Sequence, residues 1–249
     1  MTGFNGKTVL VTGGTRGVGR AIADAYLAAG ASVWTCGRNN PDNESAAQFI
    51  SADIRDPEQV ATLIADIATK DGRFDILINN AGGSPPADAA TASPRFSESI
   101  IKLNLIAPLN LAQAAHQHMT DGGAIVNIAS VSGMRPSPGT AAYGAAKAGL
   151  LNLTQSLGME WAPKVRVNAI IAGLIKTPAA HDHYAGDEGI RKIEAALPMK
   201  RMATPEDIAQ ACLFLTSDQA SYISGASLEV HGGGEPPSFL NIAAEAHKS

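Results

Sequence analysis

Tyr143 and Lys147 stand four residues apart in a segment, Ala141–Trp161, whose apolar spacing predicts a helix, so their side chains share one face. A phenol with an ordinary pKa near ~10 is a poor proton carrier at neutral pH. An ammonium one turn away favours the phenolate, moving the group toward the range where it both gives and takes a proton. Most Tyr/Lys pairs at this spacing are surface contacts, so the pair needs company before it means chemistry. Ser130 supplies it. This residue follows an apolar run, Gly123–Ala129, that reads as a buried strand. A hydroxyl at the carboxyl end of such a strand points into the crevice where open α/β sheets bind ligands.

A second feature lies upstream, in Thr12-Gly13-Gly14-Thr15-Arg16-Gly17-Val18-Gly19. Glycines at a turn permit positive φ and let the backbone approach a pyrophosphate closely. The helix that follows offers unpaired N–H groups and a dipole that favours the anion. A tight structural turn would also use three glycines. Placed between the buried strand Thr8–Thr12 and a helix with Ala21, Ile22, Ala25, Tyr26 and Leu27 on one face, they read as a dinucleotide cradle. Sites selective for NAD place an acid after the second strand to bind the adenosine ribose. Here that strand, Ala31–Cys36, leads into Gly37-Arg38. Arg38, with Arg16, can clamp a 2′-phosphate or can be an ordinary solvated charge. The pattern favours NADP(H) over NAD(H).

The elements that must position these groups follow a β-α alternation. Further strands are expected at Phe49–Ala52, Phe74–Asn79, Val165–Ile171 and Ser227–Val230, the third reached after a short polar helical stretch. Helices are expected from Pro57 to about Ala68, over Phe96–Met119, from about Glu188 to Ala196, and over Pro205–Leu215. Several strands are apolar on both faces, as a helix-covered parallel sheet requires. The fold class expected is α/β, a single doubly wound Rossmann-like domain with a mostly parallel seven-stranded sheet and helices on both faces. Residues 1–234 form that domain, a substrate lid covers about 178–203, and 235–249 are a C-terminal tail. The 249 residues allow one core of this size, and a net charge of −4 gives no basic field for nucleic acid. Cys36 and Cys212 have no paired spacing, and neither a signal segment nor a membrane-spanning run is visible, so the expectation is a cytoplasmic protein with reduced thiols.

Taken together, Thr12-Gly13-x-x-x-Gly17-x-Gly19, Asp53-Ile54, Asn79-Asn80-Ala81-Gly82, Asn104, Ser130 and Tyr143-x-x-x-Lys147 resemble the compact branch of the short-chain dehydrogenase/reductase family along nearly the whole chain. The resemblance implies hydride transfer between a nicotinamide and a carbonyl or secondary alcohol carbon of a small molecule. Tyr143 is then the general acid/base and a cofactor contact, its pKa lowered by the oxidised nicotinamide ring as well as by the ammonium. Ser130 is the hydrogen-bond donor to the substrate oxygen, and Lys147 the support of the tyrosine and the nicotinamide ribose. Asn104 holds a water that links the lysine to solvent, unless it is a helix-surface amide. Gly13, Thr15, Arg16, Gly17, Val18 and Gly19 cradle the phosphates. Asp53, with Ile54, meets the adenine, unless it is only a helix cap, and Asn80, Ala81 and Gly82 meet the adenosine ribose. Gly173, Ile175 and Thr177 serve the nicotinamide end. The family commonly has proline before that glycine; Ala172 stands there and predicts a looser turn.

Gly83, Ser84, Met134, Arg135 and Tyr184 are candidates for the substrate pocket, and Arg135 suggests an anionic or carboxylated substrate unless it is a surface charge. His181-x-His183 lacks the further ligands of a metal site, and no metal is expected. A homo-oligomer, dimer or tetramer, is implied by the family's habit of pairing its long helices. A 3-oxoacyl-thioester reductase is the closest alternative in the same class. A non-catalytic NADP-binding scaffold belongs to a different one, and it has no physical need for Ser130, Tyr143, Lys147 and Asn104 together.

Overall fold

A computed structural model describes residues 3–40, 45–177 and 184–237, with Phe239 and Ala246 beyond them. The chain runs β1 (Thr8–Thr12), α1 (Gly17–Ala28), β2 (Ser32–Gly37), β3 (Gln48–Ser51), α2 (Pro57–Asp71), β4 (Phe74–Asn79), α3 (Pro94–Ile101), α4 (Ala107–His118), β5 (Met119–Ser130), α5 (Ala141–Glu160), β6 (Val165–Ala172), α6 (Gly186–Ala196), α7 (Pro205–Thr216) and β7 (Ser227–Val230). The seven strands form one sheet in the order β3-β2-β1-β4-β5-β6-β7, and every neighbouring pair is parallel. The expected doubly wound class is the observed one.

Alternation along the inner strands explains the two layers of helices. Val9, Val11, Ile76, Ile78, Val126 and Ile128 face one side and pack with Ile22 and Tyr26 of α1 and with Ile208 and Cys212 of α7. Leu10, Leu77, Ile125 and Val167 face the other side and pack with α2, α4 and Leu157 of α5. Both faces are dry, so these strands carry no polar stripe. Local signals set the helix ends. Asp56 caps α2 by accepting from Glu58 and Gln59 N–H groups, and Thr204 and Asp207 form a reciprocal cap on α7. Gly30, at φ +90°, ends α1 in the left-handed position.

Two boundaries differ from expectation. The long helix expected over Phe96–Met119 is α3 and α4 joined by a π-type turn at Lys102–Ile106. Pro108 cannot donate the backbone hydrogen bond that a continuous α-helix needs there, so the ladder re-forms with a wider turn. Met119 belongs to β5, where it pairs with Phe74. Between β2 and β3 the described residues contain no helix, and residues 41–44 lie outside them.

The sheet order reverses between β1 and β4, whose neighbours on the far sides are β2 and β5. Chains leave adjacent strands in opposite directions at such a point and open a crevice at the carboxyl edge. The crevice here is a cleft of about 960 Å³. Among the described residues no helix is long and apolar enough to cross a membrane.

Candidate functional site

The cleft floor is built by hydrogen bonds between the exits of β1 and β4. The Thr12 hydroxyl accepts from the backbone N–H groups of Asn80 and Ala81 at 3.0 Å each, and the Asn80 amide donates to the Thr12 carbonyl at 2.9 Å. The glycine turn sits on this platform. Gly13 and Gly17 adopt φ of +63° and +53°, which side chains strongly disfavour. Arg16 precedes α1 in extended conformation and no side chain caps the helix, so its first N–H groups are left for a ligand.

Gly19 has a different reason to be glycine. A Cβ there would lie 2.3 Å from the Gly13 carbonyl oxygen and 2.5 Å from the Asn80 amide nitrogen. Gly19→Ala must therefore push the cradle away from the β4 exit. Its expected cost is about 1–3 kcal/mol of stability, as for other overpacked sites, with NAD(P)(H) affinity down at least about tenfold. Denaturant unfolding and calorimetric titration check this, and parental affinity in the variant contradicts it.

Gly13, Thr15, Arg16, Gly17, Val18, Gly19, Arg38, Asp53, Ile54, Asn80, Ala81, Gly82 and Thr177 all line this cleft. The space therefore fits a dinucleotide: a backbone cradle at one end, two exposed guanidinium groups at its side and a carboxylate beyond them. Asp53 is not a helix cap, since Asp56 fills that position. Its carboxylate is gripped by Arg55, with Nη2–Oδ2 at 2.5 Å, and this hydrogen bond above all holds its pKa down at about 2. Sequence reasoning missed Arg55, which also lines the cleft; the only available signal was its i+2 spacing from Asp53. Leu103, Cys36, Gly37, Ala52 and the polar pair Asn39 and Asn40 complete the lining and were likewise not foreseen.

Gly173 and Ile175 lie beyond the cleft's lining, in the segment leaving β6. Ala172 does not loosen this segment. The strand continues through Ala172, paired with Ser130 and Val230, and Ile175 makes a parallel bridge to Ala203. The Lys176 N–H donates to the Ala203 carbonyl and the Ala203 N–H to the Leu174 carbonyl, so backbone pairing replaces the stiffness a proline would give. Of the lid expected at 178–203, residues 178–183, including His181 and His183, lie outside the described residues. The remainder packs Tyr184, Ile190, Ile193, Leu197 and Met202 around Leu174 as a small cluster of its own.

At the far end of the crevice, α5 brings Tyr143 and Lys147 to the exit of β5. The Tyr143 phenol hydrogen-bonds the Ser130 side chain, and Ser130 is held by accepting from the Ser132 N–H at 3.2 Å. Lys147 is 4% exposed, and its Nζ lies 5.6 Å from the centroid of the Tyr143 ring. Nζ donates to the Ile128 carbonyl at 2.7 Å. Asn104 is buried in the π-type turn and is no surface amide. Its Oδ1 accepts from the Gly83 N–H, and its Nδ2 donates to the Gly83 and Ile100 carbonyls, each at 2.9 Å. The side chain thus clamps the loop after β4. A backbone carbonyl at residue 104 would bond the N–H of residue 108 in an α-helix, and Pro108 has none. Gly82 leaves room for both groups: a Cβ there would lie 2.6 Å from Asn104 Oδ1 and 3.4 Å from Lys147 Nζ.

The electrostatics depart from the sequence expectation. Burial raises the Tyr143 pKa above its ordinary value, and the Ser130 hydrogen bond only partly offsets that. The polypeptide alone does not make this phenol acidic. Burial also lowers Lys147, to about 8. The sign of the linkage follows. The unfolded lysine, near pKa ~10.4, holds its proton more tightly than the folded one, so the burial penalty is full below pH 8 and is relieved as pH rises toward ~10.4. The stability of the parent chain relative to Lys147→Met should therefore rise by up to about 3 kcal/mol across that window. Urea unfolding of both proteins at several pH values measures it, and a flat difference contradicts the burial argument.

Residues 13–235 match a family model described as enoyl-(acyl carrier protein) reductase. The chain is 37% identical over 243 residues to a 3-oxoacyl-(acyl-carrier-protein) reductase of Chlamydia muridarum, covering 91% of this chain and 96% of that one. It is 34% identical over 249 residues to a 7alpha-hydroxysteroid dehydrogenase of Clostridium sardiniense, covering 94% and 95%. The solved structure of Thermoplasma acidophilum aldohexose dehydrogenase superposes with a TM-score of 0.89 at 30% identity, covering 94% of this chain and 97% of that one. With its parallel seven-stranded sheet and matches along nearly its whole length, the chain is an oxidoreductase that belongs to the short-chain dehydrogenase/reductase family.

Proposed function

We propose that the chain transfers a hydride between NADP(H) and a carbonyl or secondary alcohol carbon, with Tyr143 as general acid/base. The observation that carries this reading is the hydrogen bond joining Ser130 to Tyr143, with Lys147 buried behind the ring and the glycine cradle along the same sheet edge. In this reading the cradle from Gly13 to Gly19 holds the pyrophosphate, and Arg16 and Arg38 clamp the 2′-phosphate. Asp53 and Ile54 meet the adenine, Asn80 to Gly82 the adenosine ribose, and Gly173, Ile175 and Thr177 the nicotinamide end. The bound nicotinamide supplies or accepts the hydride.

The chain's own residues manage the oxygen and its proton. Ser130 Oγ orients the substrate oxygen and stabilises charge developing on it. Tyr143 Oη donates its proton to that oxygen in reduction and takes it back in oxidation. Lys147 fixes the nicotinamide ribose, and its ammonium favours the phenolate that reduction leaves behind. The Asn104 carbonyl, with no N–H at residue 108 to bond, accepts from the water that reconnects Lys147 to solvent. We place the enzyme in the cytoplasm and expect a homo-oligomer, dimer or tetramer, paired through the outer faces of α4 and α5. A 3-oxoacyl-thioester substrate is the narrower second reading, favoured by the likeness to the Chlamydia muridarum reductase.

The test follows NADPH and NADH absorbance against a panel of ketones, quinones, acyl thioesters and steroids, with Tyr143→Phe as control. Turnover with NADPH on at least one carbonyl class, lost in the variant, is expected. Cofactor that binds yet is never oxidised, or a variant as active as its parent, would contradict the reading.

A further inference from the structure

Ser130, Ala172 and Val230 stand in register across β5, β6 and β7, so the chain leaves the sheet at three neighbouring points of one edge. Five residues past Ser130 lies Arg135, and five past Val230 lies Glu235. Their strands are two spacings apart, roughly 10 Å, yet the side chains meet. Arg135 Nη2 donates to Glu235 Oε1 at 2.7 Å across a sequence separation of 100 residues. The pair closes an arch over the exit of β6, the segment that carries Gly173, Ile175 and Thr177.

Both feet of the arch are fixed. On the β5 side, Ser130 leads into a short helical turn in which Met134 and Arg135 N–H groups bond the Val131 carbonyl. Gly133 in that turn lies flat on α5, where a Cβ would come within 2.8 Å of the Lys147 and Ala148 backbone. On the β7 side, His231 packs against Gly173, and Gly233 against Pro198. Tyr184 feels the charges of both Arg135 and Glu235 and is itself coupled electrostatically to Tyr143. The pair stands at the sheet edge that carries Ser130, on the β5–β7 side away from the glycine cradle at β1.

We propose that Arg135 is a specificity-determining residue that receives a carboxylate of the substrate, with Glu235 occupying that position until the substrate displaces it. This rests on the oxidoreductase reading above. The chemistry of the pair supports it. Arg135 spends Nη1 on its neighbour Pro136, whose carbonyl is 3.1 Å away, and meets Glu235 through Nη2 alone. A guanidinium has five N–H groups in a planar fork, so donors remain for a carboxylate bound through two oxygens. The side chains are 40% and 33% exposed, and an ion pair so open to water is weak and exchangeable. A carboxylate tethered to a ketone that Ser130 already holds competes with Glu235 at high effective concentration. A cationic substrate would meet the guanidinium instead and be rejected.

The experiment compares acetoacetate and levulinate, each against its methyl ester, with the parent chain, Arg135→Gln and Glu235→Gln at saturating NADPH. The parent is expected to favour at least one acid over its ester by about tenfold or more in kcat/KM. Arg135→Gln should erase that ratio through KM rather than kcat, and Glu235→Gln should raise it by removing the competitor. Unchanged ratios in both variants overturn the proposal. So does a loss of acid preference in Glu235→Gln equal to that in Arg135→Gln, the mark of a purely structural strap. Calorimetric binding of the same acids and esters to the NADP-saturated chain reads the same ratio without turnover. An active enzyme blind to charge sinks this inference alone. An inert one that binds the acid through Arg135 sinks the redox reading and leaves the inference standing, and one that binds neither sinks both.

Discussion

Tyr143→Phe should lower turnover by roughly 10²–10⁴-fold, the range expected when a positioned proton carrier is removed. NADP(H) affinity should stay near that of the parent. The substitution deletes one atom, the hydroxyl oxygen. The ring keeps its place on α5, with Lys147 Nζ behind it, and the Ser130 hydroxyl keeps its contact with the Ser132 N–H. Tyr143 is not among the residues lining the cleft proposed to hold the dinucleotide, and the ring that remains keeps its place, so binding has little reason to change. What disappears is the only hydroxyl hydrogen-bonded to Ser130 at the exit of β5 among the described residues. Stopped-flow or steady-state absorbance gives kcat, and fluorescence quenching of NADPH gives affinity. A variant that turns over like its parent, or loses cofactor binding together with activity, contradicts the role.

The second large effect is expected at Arg38. Arg38→Asp should swing the preference between NADP and NAD by about 10²–10⁴-fold, which corresponds to about 3–5 kcal/mol. A charge-assisted hydrogen bond to a phosphate contributes about 1.5–3 kcal/mol, and the substitution replaces such bonds with repulsion. It also offers a carboxylate where an adenosine ribose can donate to it. The backbone at this position is anchored by the Ser51 hydroxyl bonding the Arg38 carbonyl at 3.1 Å, so the new side chain leaves from a fixed point. Asp53 adds a further cost for the charged ligand. Arg38 is one of the charges that hold Asp53 below the usual carboxylate range, and a second acid would push it back up. The ratio of kcat/KM for the two cofactors measures the swing, and an unchanged ratio removes Arg38 from the clamp.

How far these features could be read in advance depends on the range of the interaction. Strands buried on both faces write themselves as largely apolar runs, so Thr8–Thr12 and Phe74–Asn79 were legible to the residue; the partly exposed Ser227–Val230 was bounded by its glycines instead. The start of β5 was not. Its first turn of pairing, Met119 with Phe74, uses Thr120, Asp121 and Gly122, which look like a loop. The π-type turn at Asn104 was marked only by Pro108, and a proline near a helix start normally signals a beginning rather than a widened turn. In the site, Tyr143, Lys147, Ser130 and the glycine cradle were legible because each is defined by a short spacing. Arg55 was missed because an arginine after a strand looks like a solvated charge until its carboxylate partner is seen. The Arg135–Glu235 contact joins positions 100 residues apart, and no local pattern announces it. In the free chain the Tyr143 pKa moves against the pull of the ammonium for a related reason. Sequence reveals the ammonium one turn away but not the burial, and burial prevails.

Under the proposed function, the acidity that the phenol lacks in the free chain would come from the cationic ring of an oxidised cofactor. Ultraviolet difference titration of tyrosinate, with and without NADP⁺, measures this directly, since the chain has four tyrosines and Tyr143→Phe identifies one of them. Tyr143, like Tyr26 and Tyr184, should ionise above ~10 in the free protein; it should ionise clearly below ~10 once NADP⁺ is bound, and that transition should vanish in the variant. A Tyr143 that ionises at the same high pH whether or not NADP⁺ is present would contradict the account.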